Sequence, residues 1–243
     1  MRRKIYQELL QWKQRSGESA LLVQGARRVG KSYIVEAFAK AEYKSYILID
    51  FNLVDQPVKE MFEHDLVDLK TFFMKLTTYY GVKLYERESL IIFDEVQLFP
   101  RARSAIKYLV ADGRYDYIET GSLISIRENV KDILIPSEED HVDMYPLDFE
   151  EFLFANGMNE TVISAMRQKF DKLESLEESM HDKMMDLFRK YLLVGGMPDA
   201  VNAYVQDKNI RSVREIQSEI HEYYAADASK YEADRRLTIR RIY

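Results

Sequence analysis

Apolar residues in the first half of the chain fall into short dense runs, separated by stretches in which they recur every three or four positions. The runs are ALLVQ (20–24), SYILIDF (45–51), SLIIFDEV (89–96) and the weaker YDYIETG (115–121). Short runs rich in Ile, Leu, Val and Tyr predict buried strands. The intervening stretches, among them KSYIVEAFAKAE and LKTFFMKLTTYY, have helical spacing, and Ile5, Leu9 and Trp12, with Tyr6 and Leu10 beside them, predict an amphipathic helix over 3–15. Strands alternating with helices predict an α/β fold, a mainly parallel sheet flanked by helices on both faces.

A fifth strand is expected at HVDMYPL (141–147), after the polar loop IPSEED. Beyond it the pattern turns helical throughout EEFLFANG, ISAMRQKFDKLESLEESM and KMMDLFRKYLLV, and again over 209–228. In the GGMP stretch at 195–198, Gly195 and Gly196 suit a helix end and Pro198 the first turn of the next helix. The expected organisation is an α/β core over 1–155 and a C-terminal helical lid region over 156–243.

Composition narrows the chemistry. With 47% hydrophobic residues in 243, the chain can bury a substantial core. Charged residues make up 31% but sum to a net charge of −6, which does not support coating a nucleic acid. There is no Cys, so disulfides and thiolate metal sites are excluded, and His64, His141, His181 and His221 are too scattered for a local ligand motif. The N-terminus lacks a signal-like apolar core and no stretch is long enough to span a membrane, so a reducing cytoplasmic compartment is expected.

The segment that carries chemistry directly follows the first strand. Gly25-Ala26-Arg27-Arg28-Val29-Gly30-Lys31-Ser32 fits G-x-x-x-x-G-K-[ST]. Glycines let a backbone wrap closely around a phosphate, while successive N–H groups and a helix N-terminus supply donors. Residues 25–32, with Tyr33 next to them, are therefore expected to bind nucleotide, Lys31 reaching the β and γ phosphates and Ser32 a Mg²⁺ ion. LIIFDE (90–95) supplies carboxylates at a strand end: Asp94 as a second magnesium contact and Glu95 as general base for an attacking water. Thr120 and Ser122, in ETGS, are candidates to orient that water, although Thr-Gly-Ser equally makes a turn or helix cap. A guanine-reading Asn-Lys-x-Asp or Thr-Lys-x-Asp is absent, which favours ATP over GTP.

Taken together, GARRVGKS, LIIFDEVQLFPRA, ETGSLIS, MYPLDFEEFL and LLVGGMPDAV resemble the prokaryotic AAA-type ATPases of the archaeal-ATPase-like group. The resemblance implies a P-loop NTPase sheet in which the ETGS strand lies between the phosphate-loop strand and the Asp-Glu strand. It further implies that Pro198, in Gly196-Met197-Pro198, touches adenine. Relatives commonly continue into a winged-helix lid and a C-terminal nuclease-like domain, so this chain is expected to be a shortened form.

Such ATPases often use an arginine at the γ phosphate, and Arg101, Arg103 and Arg127 lie near strand tips; a surface ion pair is the more ordinary role for each, and none is assigned as catalytic. The basic clusters RRK (2–4) and RRLTIRR (235–241) could meet nucleic acid or simply be solvated. The expected function is Mg²⁺-dependent ATP hydrolysis that changes the position of the lid, with a protein partner or second copy completing the site. An ATP-dependent switch or scaffold with little hydrolysis, and a DNA-associated ATPase, are the alternatives.

Overall fold

The structure, a computed structural model, describes residues 1–15, 17–122 and 138–231, the last five by backbone alone. It divides into two compact units, Lys4–Tyr145 and a second formed by Met1–Arg3 with Pro146–Tyr243.

The first unit alternates as its apolar runs require. In chain order it contains α1 (Ile5–Gln14), β1 (Ala20–Gly25), α2 (Lys31–Glu42), β2 (Ser45–Asp50), α3 (Gln56–Glu60), α4 (Leu69–Tyr80), β3 (Ser89–Asp94), α5 (Pro100–Asp112), β4 (Asp116–Ser122) and β5 (Glu139–Met144). All strand pairs are parallel, in the order β2-β3-β4-β1-β5, so β4 is inserted between β1 and β3 as the resemblance implies. Central strands β3 and β4 are buried at every position, whereas the edge strands β2 and β5 alternate. That difference reflects helices on both faces of the sheet centre.

One face packs an aromatic cluster of Phe51, Phe62, Phe72, Phe73, Phe93 and Tyr117 against α4 and α5. Phe62 meets Phe51, Phe72 and Phe93 edge to face, with centroids 5.8, 5.1 and 5.5 Å apart. Phe72, Phe73 and Leu76 are the buried positions of α4, at the helical spacing of LKTFFMKLTTYY. The opposite face receives α2, whose Ile34, Val35, Phe38 and Ala39 are buried along one stripe.

Three expectations are revised. β3 ends at Asp94 rather than at residue 96, because Glu95 turns into the left-handed region at φ 55°. β5 runs over Glu139–Met144 rather than 141–147: the polar residues Glu139 and Asp140 enter the sheet, where Arg103 pairs with Glu139, and Pro146 cannot donate a ladder hydrogen bond. The helical run 163–180 is broken, since Leu173 is left-handed at φ 57° and 93% exposed, with no core to hold a continuous helix there. Met61–Asp65, a π-helical turn continuing α3, was not signalled by any pattern.

The second unit contains α6 (Phe149–Ala155), α7 (Glu160–Asp171), α8 (Glu178–Val194), α9 (Pro198–Asp207) and α10 (Ile210–Tyr231). Asp148 caps α6 reciprocally: its Oδ1 accepts from Glu151 N at 2.8 Å while Glu151 Oε2 accepts from Asp148 N at 3.2 Å. Leu147, Phe152, Val194, Val201, Tyr204 and Val213 form the core. Arg2 pairs with Glu160 at 2.7 Å and Arg3 with the buried Glu151 at 3.2 Å, so two cations of the N-terminal basic cluster are engaged within this unit. Among the described residues, no helix is long and apolar enough to cross a membrane.

A buried charge cluster lies under the sheet. Glu119 of β4 and Glu139 of β5 fall on one face, because Leu22 pairs with Glu119 and Ala20 with Glu139 along β1. Arg103 of α5 donates from Nη2 to Glu139 Oε1 at 2.8 Å, while its Nε stands 4.0 Å from Glu119 Oε2. Among the described residues, neither Glu119 oxygen receives an N–H donor. Burial, then the hydrogen bond and charge of Glu139, push the Glu119 carboxyl well above the ordinary range, against the pull of Arg103.

A carboxyl shifted in this direction holds its proton to higher pH than the same group in the unfolded chain. The unfolded chain ionises this group near the usual glutamate pKa and the folded chain only at higher pH, so folding stability falls as pH rises above the usual value. The loss is at most about 1.4 kcal/mol per pH unit. Glu119→Gln should remove it, and urea unfolding at about pH 5 and pH 8 should show the variant gaining on the parent as pH rises. A constant difference between the two would mean that Glu119 is ionised in the fold.

Candidate nucleotide-binding site

Gly25 ends β1 where the backbone is tightest. A Cβ there would lie 2.2 Å from the Met144 carbonyl oxygen of β5, so only glycine lets the strand leave the sheet at this point. The chain then turns through Arg28 at φ 62° and Gly30 at φ 95° before α2 starts at Lys31. Gly30 O accepts from Ile34 N at 3.0 Å, beginning the helical ladder. Left-handed residues in a short loop turn successive N–H groups to one side, the arrangement that forms an anion cradle.

Lys31 is 5% exposed, and its Nζ donates to Gly25 O at 3.0 Å and Ala26 O at 2.9 Å. Burial lowers its pKa, opposed by the charges of Glu95 and Asp94. The cation is thus held inside the loop beside two carboxylates. Ser32 Oγ donates to Asp94 Oδ1 at 2.7 Å, and Thr120 Oγ1 donates to the same oxygen. This junction follows from strand register: Phe93 pairs with Glu119, so the next residues, Asp94 and Thr120, fall level and face α2. Glu95 N donates to Thr120 Oγ1 at 3.2 Å, so one threonine fixes both acidic residues.

The structure brings together Gly25 to Ser32, Asp94, Glu95 and Thr120. Val29 is fully buried and anchors the loop, whereas Tyr33 is 68% exposed on the outer side of α2. Ser122 is buried at the end of β4, two residues beyond Thr120. Pro198 belongs to the other unit, where it opens α9. Gly195, at φ 74°, ends α8, and a Cβ on Gly196 would meet Leu147 O at 2.1 Å. Leu147 N donates to Gly196 O at 2.7 Å, so the MYPLDF and GGMP segments meet through their backbones.

Of the candidate arginines, Arg103 is withdrawn into its buried pair with Glu139, and Arg101 Nε donates to Phe62 O at 3.3 Å. Arg127 and the cluster RRLTIRR lie outside the described residues. A residue that motif reading passed over is Gln97, whose amide Nε2 donates to Glu95 Oε2. Its only sequence signal is its place two residues after the Asp-Glu pair.

Among the described residues, no group of three or more His, Asp or Glu could hold a metal unaided. Ser32 and Asp94 together offer a hydroxyl and a carboxylate, hard oxygen donors suited to magnesium when phosphate and water supply the other ligands.

A loop of this form after the first strand, with an acidic strand end two strands away and a threonine strand between them, defines a P-loop ATPase fold. The model of the AAA domain family matches residues 17–153, and the chain belongs to this family, of the archaeal-ATPase-like kind. A second model, a domain of unknown function (DUF8612), matches residues 185–243. No curated protein matches the chain. Among solved structures it is similar to the Walker-type ATPase PABY2304 of Pyrococcus abyssi, with 16% identity, 95% of this chain and 74% of that one covered, and a TM-score of 0.54. More distant likenesses are the Aeropyrum pernix Orc1 protein solved in complex with DNA, at 10% identity, 96% and 69% coverage and a TM-score of 0.45, and C. elegans PCH-2, at 11% identity, 88% and 68% coverage and a TM-score of 0.45.

Because the φ of Gly25 is ordinary, the cost of Gly25→Ala is purely steric, about 1–3 kcal/mol. Gly113→Ala meets no atom within 4 Å and bears only the left-handed backbone cost at φ 72°, about 1–2 kcal/mol. Thermal unfolding of both should show the larger loss for Gly25→Ala together with weakened nucleotide binding. Unimpaired binding by a stable Gly25→Ala protein would mean that the loop does not depend on its contact with Met144.

Proposed function

We propose that the protein is a Mg²⁺-dependent ATPase. The observation that carries this reading is the convergence of the Ser32 and Thr120 hydroxyls on a single Asp94 oxygen, beside the buried Lys31. In this reading the N–H groups of residues 26–32 hold the phosphates and Lys31 moves from its loop carbonyls to the β and γ phosphates. Ser32 and Asp94 hold the ion, which would neutralise developing charge on the transferred phosphoryl group. Glu95 takes a proton from the attacking water, with Thr120, and secondarily Ser122, orienting the site.

ATP is favoured over GTP by the absence of a guanine-reading motif. The helical unit is proposed as the element that responds to nucleotide state, and Pro198 as a contact to the base by resemblance alone. Turnover is proposed to be slow until a partner or second copy completes the site, since Arg103 is already held by Glu139. Engagement of Arg2 and Arg3 by Glu160 and Glu151 weighs against the basic N-terminus being a nucleic-acid contact.

The test is ATP binding and phosphate release with and without Mg²⁺ and duplex DNA, for the parent chain and two variants. Lys31→Ala should weaken ATP binding by about two orders of magnitude. Glu95→Gln should retain affinity and lose turnover by about 10²-fold or more. Normal binding by Lys31→Ala would remove the phosphate-loop assignment, and strong stimulation by DNA would replace the DNA-independent reading with the nucleic-acid one.

A further inference from the structure

Glu95 has an unusual backbone. It lies at φ 55° and ψ 45°, a left-handed conformation that a non-glycine residue adopts only at a cost. Three backbone groups at this turn are tied down. Its N–H is taken by Thr120 Oγ1 at 3.2 Å, its carbonyl accepts from Leu98 N at 2.9 Å, and the preceding carbonyl, of Asp94, accepts from Phe51 N at 3.0 Å. The strained turn is therefore held from β4, from the short 3-10 helix Val96–Leu98 and from the end of β2.

These ties fix where the Glu95 side chain starts but not where it ends, because three side-chain torsions remain free. Among the described residues, its carboxylate receives one hydrogen bond, from Gln97 Nε2 to Oε2. Gln97 is only 8% exposed and follows Val96, which is fully buried, so the amide is presented from a packed turn rather than from a solvated one. Ordering two long polar side chains costs rotamer freedom that a solvated pair seldom recovers. A buried amide on one carboxylate oxygen leaves the other oxygen directed and available to accept a proton.

We infer that Gln97 is a positioning residue for Glu95: its amide grips one carboxylate oxygen so that the other meets the attacking water. This rests on the reading of Glu95 as general base given above. Gln97 itself touches neither nucleotide nor water in this role. It acts only through Glu95, so its removal should affect the chemical step and not ATP binding.

The experiment measures ATP affinity, single-turnover phosphate release and thermal unfolding for the full chain carrying Gln97→Ala, Gln97→Glu, Glu95→Gln, and Gln97→Ala combined with Glu95→Gln. Gln97→Ala should lower the hydrolytic rate about tenfold or more with ATP affinity within about twofold. Gln97→Glu keeps the length but replaces the donor by a like charge, and should lose at least as much. In the Glu95→Gln background, Gln97→Ala should cost nothing further, because the carboxylate it positions is gone.

An unchanged or raised rate in both Gln97 variants, with Glu95→Gln inactive, would overturn the positioning role and leave the ATPase reading standing. So would equal losses of rate, affinity and melting temperature, which would make Gln97 a structural residue of the turn. Full turnover by Glu95→Gln, or no phosphate release by the parent chain, would overturn the assignment of Glu95 and the role of Gln97 with it.

Discussion

The acceptance of two hydroxyl protons by Asp94 Oδ1 is the interaction on which the nucleotide-binding unit turns. Ser32 reaches it from the first turn of α2 and Thr120 from the neighbouring strand β4. A carboxylate buried at a strand end needs such donors, because an unsatisfied buried charge costs several kcal/mol. Satisfying it in this way locks the phosphate loop, β3 and β4 into one geometry. Thr120 extends the lock to Glu95 by accepting its N–H, so the two acidic residues are set by the same side chain.

Strand alternation then separates two electrostatic environments within the width of one sheet. Thr120 and Asp94 face α2 and the loop, while Glu119, one residue earlier, faces α5. On the first face, Lys31 lies beside two carboxylates whose charges oppose its loss of a proton. On the second, Arg103 meets two carboxyl groups and pairs closely with only one, and burial beside Glu139 pushes the pKa of the other up. The sheet between them is apolar at Ile92, Phe93 and Ile118, which limits screening between the faces. A buried group of this kind is expensive to break and gives little net stability, so its effect is to fix how α5 and β5 sit on β4.

In the helical unit the governing contact is between backbones. Gly196 and Leu147 approach so closely that any side chain at 196 would collide, and they exchange a hydrogen bond at 2.7 Å. Tyr191 OH donates to Leu147 O at 2.9 Å, tying the same carbonyl to α8. Two of the segments that carry the family resemblance, distant in sequence, are thus one packing feature. The glycine at 196 is explained by this approach, whatever further role Pro198 has.

Much of this was legible in the order of residues. Dense apolar runs gave the strands, helical spacing gave α1, α2 and α4, and the loop with Lys31 and Ser32 announced an anion cradle before any contact was known. Those are local properties: periodicity, glycine geometry and the chemistry of a short motif. The tertiary structure decided what depends on partners far away in sequence. Register made Asp94 and Thr120 level, and a distant arginine drew the polar residues Glu139 and Asp140 into β5. The same pair removed Arg103 from the surface, where its place in the sequence suggested it would lie. The grip of Gln97 on Glu95 was also hidden, because residues two apart face each other only when the backbone between them is bent as it is here. Sequence by itself determined the elements and the chemistry available at the loop; only packing decided which buried charges are paired, which carboxyl is pushed above its ordinary pKa and which carboxylate oxygen is held.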